Sequence, residues 1–334
     1  MVNWKKVKEY FDFKIIVLSI IFFIVLISFI FYKTYYSITF YSMKEHIAAG
    51  IFNSALDIFF LFIIFNLFLN LDEKRREIKR YLEEINDYRN WHEPEASYRI
   101  VGLIKRLNRL NVISNIDLRQ CYLDKANLQD VKLMKSNLGQ TTMIEANLIG
   151  AHLEEANLEG ANFKKANLSY ANLNGSMIAA NFKNACLINA QLKRAWLQCT
   201  FEKADLSGAH FEEARFHRQV YFDEADLESA NFQGAKFDGV YFHKANLKNA
   251  NFTNAFFTSA ELNDSILINA DFKNAKDLTW EQLSNVKTLY GVKNLDPEIK
   301  KKLQKDFKHL FEKTEEVIKQ LDLSPESDIP FQLR

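Results

Sequence analysis

The chain is poor in the residues that build chemical sites. It has three cysteines in 334 residues, Cys121, Cys186 and Cys199. That is too few for a disulfide framework and fits a reduced compartment. It has no surplus of either charge, with a formal net charge of +1. Acids such as Glu154, Glu155, Asp223, Glu224 and Asp226 are interleaved with Lys164, Lys165, Lys193 and Arg194. A continuous single-sign face for mimicking or gripping nucleic acid is therefore not expected. There is no glycine-rich phosphate loop, nucleophile elbow or Cys-x-x-Cys pair. The seven histidines are scattered. The expectation is no enzyme, no cofactor, and no catalytic, cofactor-binding or metal-binding residue.

What the chain does have is a five-residue phrase, small, polar, then Leu or Phe, from about Asn115 to Asp277. Its clearest stretch runs Ala146-Asn147-Leu148, Ala156-Asn157-Leu158, Ala161-Asn162-Phe163, Ala166-Asn167-Leu168. With the Leu/Phe position as centre, the step is five from Leu118 to Ile178. It then slips to four at Ile178–Phe182 and Leu197–Phe201, and to six at Phe216–Phe222. Counting through the slips gives 32 units. A period of five fits neither a helix nor a strand, which need 3.6 and 2. It fits a square coil with one inward side chain per wall and about twenty residues per turn. The slips fall four units apart, so they stack at a single corner.

Sorting the centres by wall supports this. The third wall reads Leu128, Leu148, Leu168, Leu187, Leu206, Leu227, Leu247, Leu267; the second holds Phe163, Phe182, Phe201, Phe222 and Phe242. Eight coils at strand spacing make a rod about 38 Å long. The small residue two before each centre, Cys121 and Cys199 included, is a packing position. His152 and His210 fall on one wall about 14 Å apart, too far to share a metal.

These residues resemble the pentapeptide-repeat family, whose phrase is A(D/N)LXX. The resemblance covers residues 115–277 and implies a right-handed quadrilateral β-helix with a binding role. Met177, Trp196, Arg215 and Phe256 depart from the family's Asn or Asp before the centre. Some family members imitate duplex DNA and bind DNA gyrase, giving quinolone tolerance. That implication is the alternative function here, weakened by the mixed charge.

The N-terminal part reads as a membrane anchor. Residues 15–32 are uncharged and long enough to span a bilayer core of about 30 Å. A second apolar run, 47–71, carries Asn53, Asp57 and Asn66. No small-residue cleavage site follows the first run, so a signal peptide is disfavoured. Lys5, Lys6, Lys8 and Lys14 precede the pair; Lys74, Arg75, Arg76, Lys79 and Arg80 follow it. This bias predicts a hairpin in a bacterial inner membrane with both termini and the repeat cytoplasmic. Asn53, Asp57 and Asn66 are candidate intramembrane polar residues, read as helix-association contacts in preference to a transport or sensor path through the hairpin.

Between anchor and repeat, residues 72–114 predict a charged helix, a break at Pro94, and a second helix over about 95–110. Ile100, Leu103, Ile104, Leu107 and Leu110 lie on its apolar stripe, ready to cap the first coil. Beyond the repeat, Thr279 with Gln282 matches a capping box, and Asp296-Pro297 opens a helix running to about Gln320. Residues 278–322 form the expected C-terminal cap and 323–334 a tail.

The mainly β rod is expected to act as a non-catalytic, membrane-tethered scaffold for an unidentified protein partner. Self-association through the hairpin or the C-terminal helix is compatible with it; nucleic acid is disfavoured. The candidate partner-binding residues are Met177, Trp196, Arg215, Arg218, Tyr221 and Tyr241. They cluster at the slipped corner and belong to the types that anchor interfaces.

Overall fold

In the computed structural model the described residues are 42–315, 317 and 319. The expected span at 15–32 and the tail at 323–334 lie outside them. The chain divides into two compact units, Met1–Glu73 and Lys74–Arg334.

Helix α1, Ser42–Asp87, contains both the second apolar run and the charged stretch after it. Its segment Ala55–Asp87 has the length and composition to cross a membrane, and its most apolar stretch is not buried in protein. Asp57 is exposed on it. The Asn66 amide donates to the Phe62 carbonyl one turn back at 2.8 Å, so it is satisfied within its own helix. The Asn53 side chain lies outside the described set.

In the second unit, helix α2 (Pro94–Arg109) starts at its proline and buries Ala96, Ser97, Ile100, Leu103, Ile104 and Leu107. Leu110, expected on the same stripe, is only half-buried. Tyr81 and Ile85 join this cap. The Asn108 side chain then imitates a rung of backbone. Its amide donates to the Lys132 carbonyl at 2.9 Å and its oxygen accepts from the Lys132 N–H at 2.8 Å. Asp117 sits between Arg119 and Arg89; hydrogen bonds from Arg119 first, then Arg89, hold its carboxyl well below the usual range against the opposing effect of burial.

The repeat forms a four-walled parallel coil. Within a unit, Cys121 N–H closes a turn onto the Leu118 carbonyl at 3.1 Å, with Gln120 at φ +60°. This is the turn type that needs a positive φ at its third residue. It recurs with Lys125, Asp130 and Lys135, none of them glycine. Between coils, parallel bridges link Asn127, Asn147, Asn167, Cys186, Asp205, Asp226, Asn246 and Ile266. The 19- and 21-residue steps in that series fall where the sequence slips. The largest fully buried side chains are all phenylalanines. Phe163, Phe182, Phe201, Phe222 and Phe242 stack with ring centroids 4.9 to 5.1 Å apart. Burying each ring is worth roughly 1.5–3 kcal/mol, and each stacked pair about 0.5–1.5 kcal/mol more.

Two features differ from the expected end. The ladder continues past Asp277: Ile266 bridges Thr288 and Asp271 bridges Lys293, with Leu289 fully buried. A short helix, α3 (Trp280–Ser284), stretches this step and hides it from a five-residue period. Its capping box is present as expected, and Gln282 does double duty. Its Oε1 accepts from Thr279 N–H at 2.8 Å, while its Nε2 donates to the carbonyls of Phe257 and Ala260 at 3.0 Å each. The second difference is the following helix, α4 (Pro297–Asp306). It is capped by Asp296 but stops well before Gln320, because Phe307 leaves helical geometry at φ −137°. Leu303 is its buried residue, and Leu310, in the short 3-10 turn Lys308–Phe311 that follows, is buried in the same core.

Candidate interaction surface at the shortened corner

The slipped corner is where this coil departs from a regular one. In the first coils it carries a left-handed turn residue, Gln120, Gln140 or Gly160. In the next two coils one residue is missing, and Ala179, Ala180, Gln198 and Cys199 take no such conformation. Without an outward turn the corner recedes. The coil after carries one residue too many, so it bulges: Arg218 and Gln219 take φ +38° and +63°. Its pairing with the next coil shifts between His217 and Val220. Gly239 faces this bulge at φ +69°, and a Cβ there would meet the Arg218 Cα at 3.4 Å.

Recession between a normal corner and a bulged one leaves a shallow groove of about 500 Å³. Gly160 lies at one end, Gln219 and Tyr221 at the other, with Ala179, Ala180 and Thr200 between. The Thr200 hydroxyl is buried without a hydrogen-bond partner, an unmet polar group of the kind that costs stability unless something supplies it. The Cys199 thiol in the groove is pushed well up by burial, and burial takes that of Cys121 to about 12. Neither is poised as a nucleophile.

The corner is braced by five short parallel strands, β1 (Met177–Ile178), β2 (Trp196–Leu197), β3 (Arg215–Tyr221), β4 (Lys236–Tyr241) and β5 (Ala260–Glu261), ordered as in the chain. Their register brings the sequence-predicted residues together. Met177 pairs with Trp196 and Trp196 with Arg215, so the three form one outward column. Met177 is 59% and Trp196 51% exposed, a large apolar area left in solvent. The Arg215 guanidinium lies 5.4 Å from the Trp196 ring centre, within cation–π range. On the other side of the groove, Tyr221 and Tyr241 are paired rung to rung and stacked at 5.0 Å. Tyr221 lines the groove; Tyr241 backs it. Arg218 stands exposed on the bulge, outside the groove lining.

Sequence reasoning missed the groove floor, because alanines in an alanine-rich repeat carry no signal. It also missed the continuation of the Trp196 column through Lys236, Phe256 and Lys276. Elsewhere, His152 with Glu154 and His210 with Glu212 make matching pairs at 3.2 and 3.1 Å. Among the described residues no cluster of three or more His, Cys, Asp or Glu is arranged to hold a metal.

A four-walled parallel coil of stacked repeats is a solenoid by class. Residues 113–141 and 143–177 match the model of pentapeptide repeats (8 copies), and residues 194–272 that of a pentapeptide repeat region. The repeat domain of this chain belongs to the pentapeptide-repeat family. Among solved structures, it is similar to HetL, a pentapeptide repeat protein involved in heterocyst differentiation regulation from Nostoc sp. strain PCC 7120. That match has 25% identity and a TM-score of 0.28, covering 58% of this chain and 92% of that one. It is also similar to a trypsin-treated variant of QnrB1, a plasmid-mediated fluoroquinolone resistance protein, with 20% identity and a TM-score of 0.30, covering 55% and 91%. A third is Rfr23 from Cyanothece 51142, at 23% identity and a TM-score of 0.16, covering 52% and 97%. No curated protein matches the chain.

Proposed function

We propose that this protein is a non-catalytic scaffold, tethered to a bacterial inner membrane by a two-helix hairpin, that docks another protein on the shortened corner of a coil of about eight turns. The observation that carries this reading is the juxtaposition of a half-exposed Trp196, held under Arg215, with a groove containing an unpartnered buried hydroxyl. Trp, Tyr and Arg side chains are the usual energetic anchors of protein interfaces. A polyanionic DNA-like face is disfavoured by pairing of charges between neighbouring coils. Lys125 and Lys165 both reach Glu145, Lys135 reaches Glu155, and Lys203 reaches Glu224.

Crosslinked pull-down from native membranes tests the docking site. A protein captured by wild type is expected to be lost from the triple variant Trp196→Ala/Tyr221→Ala/Tyr241→Ala. Identical capture by both would move the function to another wall. The tether is tested separately by reporter fusions. One at Ser37 is expected outside the cytoplasm and one at Arg334 inside; the reverse pattern would overturn the orientation.

A further inference from the structure

Among the described residues eight cations of the coil are matched by a carboxylate one turn away, as Arg194 is by Glu213 at 2.9 Å and Lys248 by Glu228 at 3.2 Å. The first wall breaks that habit. Its outward column reads Met177, Trp196, Arg215, Lys236, Phe256, Lys276, each paired with the next across a rung. Arg215, Lys236 and Lys276 are all exposed, and none makes an ion pair among the described residues. They lie against aromatic faces instead. Arg215 sits over Trp196 at 5.4 Å, and Phe256 is flanked by Lys236 at 5.6 Å and Lys276 at 4.9 Å. Lys132, Lys164, Arg218, Lys244 and Lys273 also lack an ion pair among the described residues, but none of them belongs to this column.

We infer that this column is a recognition strip for an acidic, extended segment of a partner protein. The inference rests on the scaffold reading and names the chemistry of its partner. Stacked rungs put successive side chains about 4.8 Å apart, so Arg215 to Lys276 spans roughly 14 Å, a reach suited to a few carboxylates on one extended strand. The Trp196 and Phe256 rings hold the cations in place while no acid is bound, and Met177 adds apolar contact at one end of the column. The strip is one residue wide. Glu213 and Asp238, two residues from Arg215 and Lys236 in the chain, flank it, Glu213 paired with Arg194 and Asp238 beside His217. A broad polyanion would meet those acids. Three cations would also release far fewer counterions than a DNA-binding protein making about 6–10 phosphate contacts.

The test uses the full chain in nanodiscs of neutral phosphatidylcholine and a fluorescent ten-residue polyglutamate peptide as probe. The wild type is expected to bind it, and Lys236→Glu/Lys276→Glu to bind at least tenfold more weakly. Lys164→Glu, at an unpaired cation on another wall, is expected to leave binding unchanged. Equal weakening by Lys164→Glu would mean unspecific charge attraction and would overturn the strip. So would tighter binding of a twenty-residue oligothymidylate, or binding seen only with phosphatidylglycerol vesicles. Trp196→Ala separates the two levels. If it abolishes capture from native membranes while charge reversal leaves peptide binding untouched, the scaffold stands and the acidic partner falls. If capture ignores Trp196 yet peptide binding follows charge, the strip stands and the docking corner falls.

Discussion

Leu206→Asp is expected to abolish cooperative melting of the repeat. Leu206 is fully buried in the third-wall column between Leu187 and Leu227, which are fully buried too. Truncating such a leucine costs about 2–5 kcal/mol through lost transfer energy and the cavity left behind. Placing an unpartnered polar group there adds roughly 1–3 kcal/mol, and more if it ionises. The total approaches the whole stability of a typical domain, about 5–15 kcal/mol. The charge term has a sign that can be checked. Burial raises the introduced carboxyl's folded pKa above its unfolded value of about 3.9. The variant is therefore destabilised further as pH rises through that window and partly recovers near pH 4. Circular dichroism melts of the full chain at both pH values measure it. A native-like curve at pH 7 would show that residue 206 does not face the core, and the four-walled register would fall with it.

The second large effect concerns binding. Inserting one glycine after Ala179 and another after Gln198 returns both shortened units to five residues. Each corner then gains a residue where Gly160 takes φ +71° in the preceding coil, a conformation glycine adopts freely. The core columns on either side keep their register, so the melting curve is expected to stay close to that of the wild type. The restored turns project into the groove, and capture of the partner from native membranes is expected to be lost. Undiminished capture by a stably folded insertion variant would mean that the groove is not where the partner sits.

Much of this architecture was legible in the chain because the determinants are local. A centre every five residues states the coil, and the two missing residues and one extra residue state which corner is irregular. Met177, Trp196 and Arg215 were conspicuous because a large side chain replaces Asn. Phe256 was conspicuous for the same reason, but its alignment with them depends on inter-coil pairing. The groove itself was not legible, since it is defined by turns that fail to protrude. Nor was the last rung through Thr288 and Lys293, where α3 lengthens the step to 22 residues. The break after Asp306 was also hidden: Leu310 and Phe311 continue an apolar pattern, while the Leu310 carbonyl is taken by Leu289 N–H of the coil at 2.7 Å, a contact no local pattern reveals.

A stack of parallel coils is in principle a one-dimensional polymer, since its end rung offers the same bonds that joined every rung before it. The side-chain amides at the two ends act as chain terminators. Asn108 satisfies the Lys132 rung and Gln282 satisfies the carbonyls of Phe257 and Ala260, with groups that cannot themselves template another turn. At those positions the rung is closed by a side chain, which offers no backbone edge for a second molecule to extend.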